Sequence, residues 1–339
     1  MKAARQLLPT LIVFGLVLSA CRASNTAVPS PTTTPPPRHS PQPASNTFGI
    51  FSFPPENERA WNALADLGVG WVRLQFRLGK EDPTVYTRVL DEGYGLWLTL
   101  TPRDAENVAD PEKLARSQRG GFPPVNDEPY KALVTATIAP LVESLRAAGK
   151  NPGDWLVIQL GNEVIPSDVL PDQPLRFWHG TADEYLHTLA LTYQAVKAVD
   201  PSIPVAMTSL SSEAMEAVLS YESGETQYQP IADWAARLLA EAQADWADIH
   251  LYHSVETIPD KVAWYRAHWN GLLAASEIGG PDSAVTPTFT EAGHAADLNA
   301  RLTAALEAGV SRVFWTTLIE QPFYAFPNIS ELDIDQEVL

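Results

Sequence analysis

Trp155-Leu156-Val157-Ile158-Gln159-Leu160-Gly161-Asn162-Glu163 is the stretch on which the fold turns. An almost unbroken apolar run reads as a strand covered on both faces, as in a parallel sheet. It leads straight into a glycine, an amide and an acid. A carboxylate is costly inside a packed core, so Glu163 belongs at the strand's open end, over a cavity that water reaches.

The same construction recurs to either side. Strand candidates lie at 47–53, 70–76, 95–101, 155–163, 204–209, 246–253, 272–278 and 312–318. Longer amphipathic segments at 57–67, 83–92, 128–148, 182–199, 231–242, 259–270 and 289–308 read as helices between them. Gly68, Gly93, Gly149 and Gly309 stand where helices should stop. Eight strands separated by helices predict an α/β fold with a parallel sheet, and eight units suggest closure into a (β/α)8 TIM barrel. An open doubly wound sheet is the alternative, but no Gly-rich phosphate turn follows the first strand. Few residues remain after the eighth strand, and 323–339 patterns poorly as a helix, so the final helix is expected to be short or missing. The segments 102–127 and 164–181 are long for loops. They fall on the C-terminal side of the strands, where a barrel carries its active site, and should wall a cleft.

The N-terminal part reads differently. Lys2 and Arg5 precede the apolar run 7–17, so residues 1–20 read as a secretory signal. Leu18-Ser19-Ala20-Cys21 resembles the bacterial lipobox, which implies that Cys21 is lipidated. The Pro-, Ser- and Thr-rich segment that follows cannot bury a core. Residues 21–45 are therefore expected to tether the barrel domain, 46–339, to a membrane on its extracytoplasmic side. Cys21 is the only cysteine, so the barrel has no disulfide, cysteine nucleophile or cysteine-based zinc site. The formal charge is −18 and no basic patch stands out, so nucleic acid is not an expected partner. Ten Trp and ten Tyr suit either a core or the stacking faces that sugar rings use.

A second acid repeats the arrangement of Glu163. Leu272-Leu273-Ala274-Ala275-Ser276 runs into Glu277, on the seventh strand where Glu163 closes the fourth. Two carboxylates at one barrel mouth suit glycoside cleavage: one protonates the leaving oxygen while the other attacks the anomeric carbon. This arrangement resembles the clan A glycoside hydrolases, and is similar to families 5, 39 and 53. In that clan an Asn-Glu pair ends the fourth strand and a single Glu ends the seventh.

The resemblance implies that Glu163 is the acid/base, that Asn162 binds the sugar 2-hydroxyl and that Glu277 is the nucleophile. It also implies a retaining double displacement with carboxyl groups roughly 5–5.5 Å apart, and no metal or organic cofactor. The substrate would be an oligo- or polysaccharide. Alternation along Asp248-Ile249-His250-Leu251-Tyr252 puts His250 and Tyr252 on one side. The clan has an aromatic hydroxyl and a His there; His253 is the substitute, and a buried core His is the alternative for His250. Trp315 resembles the eighth-strand Trp that floors the sugar site. Arg73 resembles the second-strand Arg that supports the nucleophile. Trp178, with Phe177, Phe122 and Tyr324, falls in long loops at the cleft face, either as a stacking platform or as a pin for its own loop.

Two features depart from the resemblance. Thr99-Leu100-Thr101-Pro102-Arg103 lacks the third-strand His common in family 5, leaving Arg103 as a candidate cleft residue, and the C-terminal end is short. Two other functions stay open: a sugar-binding barrel without catalysis, and a metal-dependent barrel hydrolase using His250 and His253.

Overall fold

A computed structural model describes residues 45–51, 58–171, 177–280 and 290–316, all within one compact unit. The signal, Cys21, nearly all of the tether, Tyr324 and the C-terminal segment lie outside the described residues.

The elements follow in the order β1 (Phe48–Phe51), α1 (Glu58–Leu67), β2 (Trp71–Leu78), α2 (Thr87–Asp91), β3 (Gly95–Pro102), α3 (Pro111–Arg116), α4 (Asp127–Ala147), β4 (Leu156–Leu160), α5 (Ala182–Val199), β5 (Val205–Leu210), α6 (Ser212–Glu222), α7 (Gln229–Glu241), β6 (Trp246–Leu251), α8 (Ile258–His268), β7 (Leu272–Ile278), α9 (Glu291–Glu307) and β8 (Arg312–Thr316). The strands pair in sequence order, all parallel, and β8 closes onto β1. The fold is the (β/α)8 barrel that the strand count predicts.

Local chemistry explains where the elements differ from the expected ones. The second helix is preceded by a 3-10 turn at Pro83–Tyr86, because Pro83 sits in the first turn and Asp82 caps the Thr84 N–H. α6 goes unannounced by periodicity, yet Ser211 caps it by accepting from the Ala214 N–H at 3.1 Å. β4 ends at Leu160 rather than Glu163, because Gly161 turns the chain at φ 78°. A Cβ there would come within 2.7 Å of Val164 Cγ2.

The barrel interior is built in storeys. The lowest is apolar: Phe51, Trp71, Trp97, Trp246 and Phe314 meet the small side chains Val157, Ala206 and Ala274. Trp97 contacts Trp246 and Phe314 edge-on at 5.7 and 5.4 Å between ring centres. One inward position higher, the strand period of two presents Arg73, Thr99, Gln159, Asp248 and Ser276, all fully buried. The third storey is the mouth. Here β7 carries an extra residue: its register with β6 passes from Asp248↔Ala274 to His250↔Glu277. That bulge lets Ser276 and Glu277 both reach the interior. Residues facing outward, among them Val72, Leu98, Ile158, Ile249 and Ile278, join the apolar layer under the helices.

Candidate active site

Glu277 is 5% exposed, so its ionised form needs partners. Arg73 Nη1 donates to Oε1 at 2.7 Å, and the Tyr252 hydroxyl donates to Oε2 at 2.6 Å. Burial pushes this carboxyl up, but His250, Arg73 and Tyr252 outweigh it and hold the group below the ordinary glutamate value. The guanidinium that holds Glu277 also fixes Asn162: Arg73 Nη2 donates to Oδ1 at 2.6 Å. An arginine only donates, so the Asn162 carbonyl must face it and the amide NH2 points the other way.

Glu163 lies opposite, beyond the end of β4. Its φ is 47°, a left-handed conformation unusual for a side chain with a Cβ. Two hydroxyls of β5 hold that turn: the Glu163 N–H donates to Ser209 Oγ at 3.1 Å and the Val164 N–H to Thr208 Oγ1 at 3.0 Å. The Glu163 side chain is 20% exposed, against 7% for Glu277. His250 joins the two acids. Its Nδ1 is 2.7 Å from Glu163 Oε1 and its Nε2 is 3.5 Å from Glu277 Oε1. Burial pushes the imidazole down, while Glu277, Glu163 and Asp248 draw it up, with a net rise that favours the imidazolium.

The middle storey ties this cluster to the barrel. Arg73 Nε donates to Thr99 Oγ1 at 3.1 Å, and Thr99 donates to Gln159 Oε1 at 2.7 Å. The Trp97 indole N–H donates to the same Gln159 oxygen at 2.9 Å. Thr99, Gln159, Asp248 and Ser276 were not among the site residues expected from sequence. Thr99 and Asp248 lie two positions before Thr101 and His250 on strands that are otherwise largely apolar, and Gln159 is the lone polar residue of β4; Ser276 lies directly before Glu277, where the bulge hides its phase.

Glu163, Glu277, Asn162, Arg73, His250 and Tyr252 are thus brought into one hydrogen-bonded cluster. Other expected residues are not. Trp315 faces outward: it pairs with Ile50 and Ile278, belongs to the layer under the helices and lies 5.5 Å from the His294 ring of α9. Phe314 takes the inward position instead. Trp178 is fully buried, meets Tyr185 edge-on and donates its indole N–H to Thr181 O at 3.2 Å, so it pins its loop. Phe122 is buried too and stacks on His179, while Phe177 is half-buried. Arg103 is spent on carbonyls, donating to Gly120 O at 2.8 Å, Leu114 O at 3.0 Å and Ser117 O. His253 turns away at φ 60° and pairs with Glu213 and Glu216 of α6.

No family model and no curated protein sequence matches the chain. Solved structures do. A monomeric beta-xylosidase from Caulobacter crescentus CB15 superposes with a TM-score of 0.53 at 18% identity, over 84% of this chain and 63% of that one. The GH39 enzyme from Xanthomonas axonopodis pv. citri gives 0.53 at 16% identity, over 84% and 61%. Fungal beta-1,4-galactanases give 0.50 at 14% identity, over 76% and 80%. The chain therefore shares the barrel fold of glycoside hydrolases and spans less than two thirds of the first two proteins' length.

Proposed function

We propose that the chain is a retaining glycoside hydrolase in which Glu277 is the nucleophile and Glu163 the acid/base. The observation that carries this reading is the unequal housing of the two carboxylates around one imidazole. Glu277 is buried and clamped by Arg73 and Tyr252. Glu163 is more exposed and lies 2.7 Å from His250 Nδ1. Two carboxylates in different environments can hold different roles at one pH.

In the proposed cycle, Glu277 attacks the anomeric carbon as the bond to the leaving oxygen breaks, and Glu163 gives that oxygen its proton. Glu163, now ionised, takes a proton from water as the water oxygen attacks the same carbon. Glu277 departs as a carboxylate. In this reading the NH2 of Asn162, left open by the bond from Arg73 to its carbonyl, donates to the sugar 2-hydroxyl. No step calls for a metal or an organic cofactor. The substrate class is an oligo- or polysaccharide with O-glycosidic bonds. We further propose that the signal at 1–20 exports the chain and that Cys21 anchors it by lipid to the outer face of a membrane, with the segment up to residue 45 as spacer.

The test is stereochemical. Aryl glycosides and polysaccharides are screened for turnover, and proton NMR follows the first sugar released. Retention of the anomeric configuration is expected. Inversion, or sugar binding without turnover across the panel, overturns the proposal.

A further inference from the structure

Beneath the two glutamates lies a buried acid that the proposed cycle does not use. Asp248 sits on β6, one inward position below His250, and is fully buried. Its Oδ1 accepts the Ser276 backbone N–H at 2.8 Å; its Oδ2 accepts from Gln159 Nε2 at 2.5 Å and from the Ser276 hydroxyl. Gln159 cannot turn over, because its oxygen takes the Trp97 indole N–H and its NH2 also bonds the Met207 carbonyl at 3.1 Å. Asp248 therefore commits the hydrogen of Ser276. What Ser276 Oγ turns towards His250 Nε2, 3.2 Å away, is a lone pair. Glu277 Oε1, near the same nitrogen, is a second acceptor. A hydrogen on Nε2 meets two acceptors, whereas a lone pair there would meet two lone pairs. That leaves Nδ1, beside Glu163, as the ring position that gains and loses a proton.

We propose that Asp248 is a positioning residue: acting through Ser276, it keeps a hydrogen on His250 Nε2 and so directs proton exchange with Glu163 through Nδ1. This rests on the reading of Glu163 as the acid/base. The exchange runs along one hydrogen bond. As the Glu163 O–H bond breaks, its electron pair stays on the carboxylate and an N–H bond forms at Nδ1; reprotonation of Glu163 reverses both changes. The charged and titratable groups around His250 are Glu163 beyond β4, Glu277 on β7, Asp248 on its own strand, Tyr252 just past the end of that strand, and Arg73 on β2 through Glu277. All of them except Asp248 already belong to the mouth of the site.

Two variants test it. D248N with its NH2 at the Oδ2 position sets that NH2 against the NH2 of Gln159 and donates to Ser276, whose hydrogen then turns to His250 Nε2; the opposite orientation sets the NH2 against the Ser276 backbone N–H and leaves the relay in place. S276A removes the relay and keeps Asp248, and it carries the test should D248N not fold. Nitrogen-15 NMR of the His250 ring, assigned against H250Q, reports the tautomer, and the pH profile of aryl glycoside turnover reports the exchange. At a pH where the ring is neutral, the expected result is an Nε2–H ring in the wild type and loss of that preference in the variants. Their pH limb should move by about one unit, and turnover of a poor leaving group should fall about tenfold. A folded S276A with wild-type ring shifts and an unmoved limb overturns the proposal. A wild type that hydrolyses no glycoside defeats the catalytic reading instead, and the ring shifts still decide the tautomer.

Discussion

Tyr252 donates a 2.6 Å hydrogen bond to Glu277, on the oxygen that Arg73 leaves open. Hydrogen bonds to charged groups contribute about 1.5–3 kcal/mol. Y252F is expected to lower kcat/KM by about tenfold to a hundredfold, and steady-state kinetics on an aryl glycoside check it. The bond also lowers the Glu277 carboxyl, so the acid limb should move to higher pH in the variant. An unchanged limb with near-normal turnover would remove Tyr252 from the site.

Arg73 is fully buried against Glu277, and removing one member of a buried ion pair costs about 3–5 kcal/mol. R73M should unfold at lower urea concentration than the wild type. Glu277 is held below its ordinary value in the fold, so this pair stabilises above that value and its contribution is lost as pH falls through the folded one. The gap between R73M and wild type should therefore narrow in acid. A gap that stays constant down to acid unfolding would contradict the pairing.

His253 bridges Glu213 at 3.1 Å and Glu216 at 3.0 Å, and Glu216 also takes Lys261 Nζ at 3.0 Å. The Glu213 bond leads in raising the imidazole to about 9 and in holding Glu213 down to about 2. A raised histidine stabilises fully below its unfolded value and loses that contribution as pH rises through about 9. H253Q should cost on the order of 1 kcal/mol at neutral pH, given the partly exposed site. That deficit should shrink in thermal melts taken above pH 9. Because His253 follows Tyr252 directly, the variant should also loosen the hold on Glu277.

Trp315 tests the boundary of the site. It packs outward against His294, so W315F should lower the melting temperature while kcat/KM stays within a few-fold of wild type. Large losses of turnover without loss of stability would return Trp315 to the sugar site.

The strand count, the barrel and the two strand-ending acids Glu163 and Glu277 are legible because each rests on a strong local signal, whereas Asn162, Arg73, His250 and Tyr252 enter through the resemblance to a known family of barrels. Apolar runs end in acids, and period two links Asp248, His250 and Tyr252. Trp315 is not legible because Phe314 and Trp315 are both large and apolar, so composition hides which one faces inward. The extra residue in β7 likewise breaks the alternation that would have set the phase of Ser276 and Glu277. Loop aromatics carry no period, so only packing distinguishes Trp178 the pin from Trp178 the platform. The buried supports Thr99 and Gln159 carry no sign of a role in their own strands until the barrel sets them beside Arg73 in one storey.

The central claim is that Glu277 attacks carbon. Incubation with activated 2-deoxy-2-fluoro glycosides, followed by peptide mass mapping, tests it most directly. The account predicts one sugar per chain on Glu277, with E277Q unlabelled and E163Q labelled by the reagent with the best leaving group. A sugar carried on any other residue, or hydrolysis that proceeds without a trapped Glu277 adduct, would contradict it.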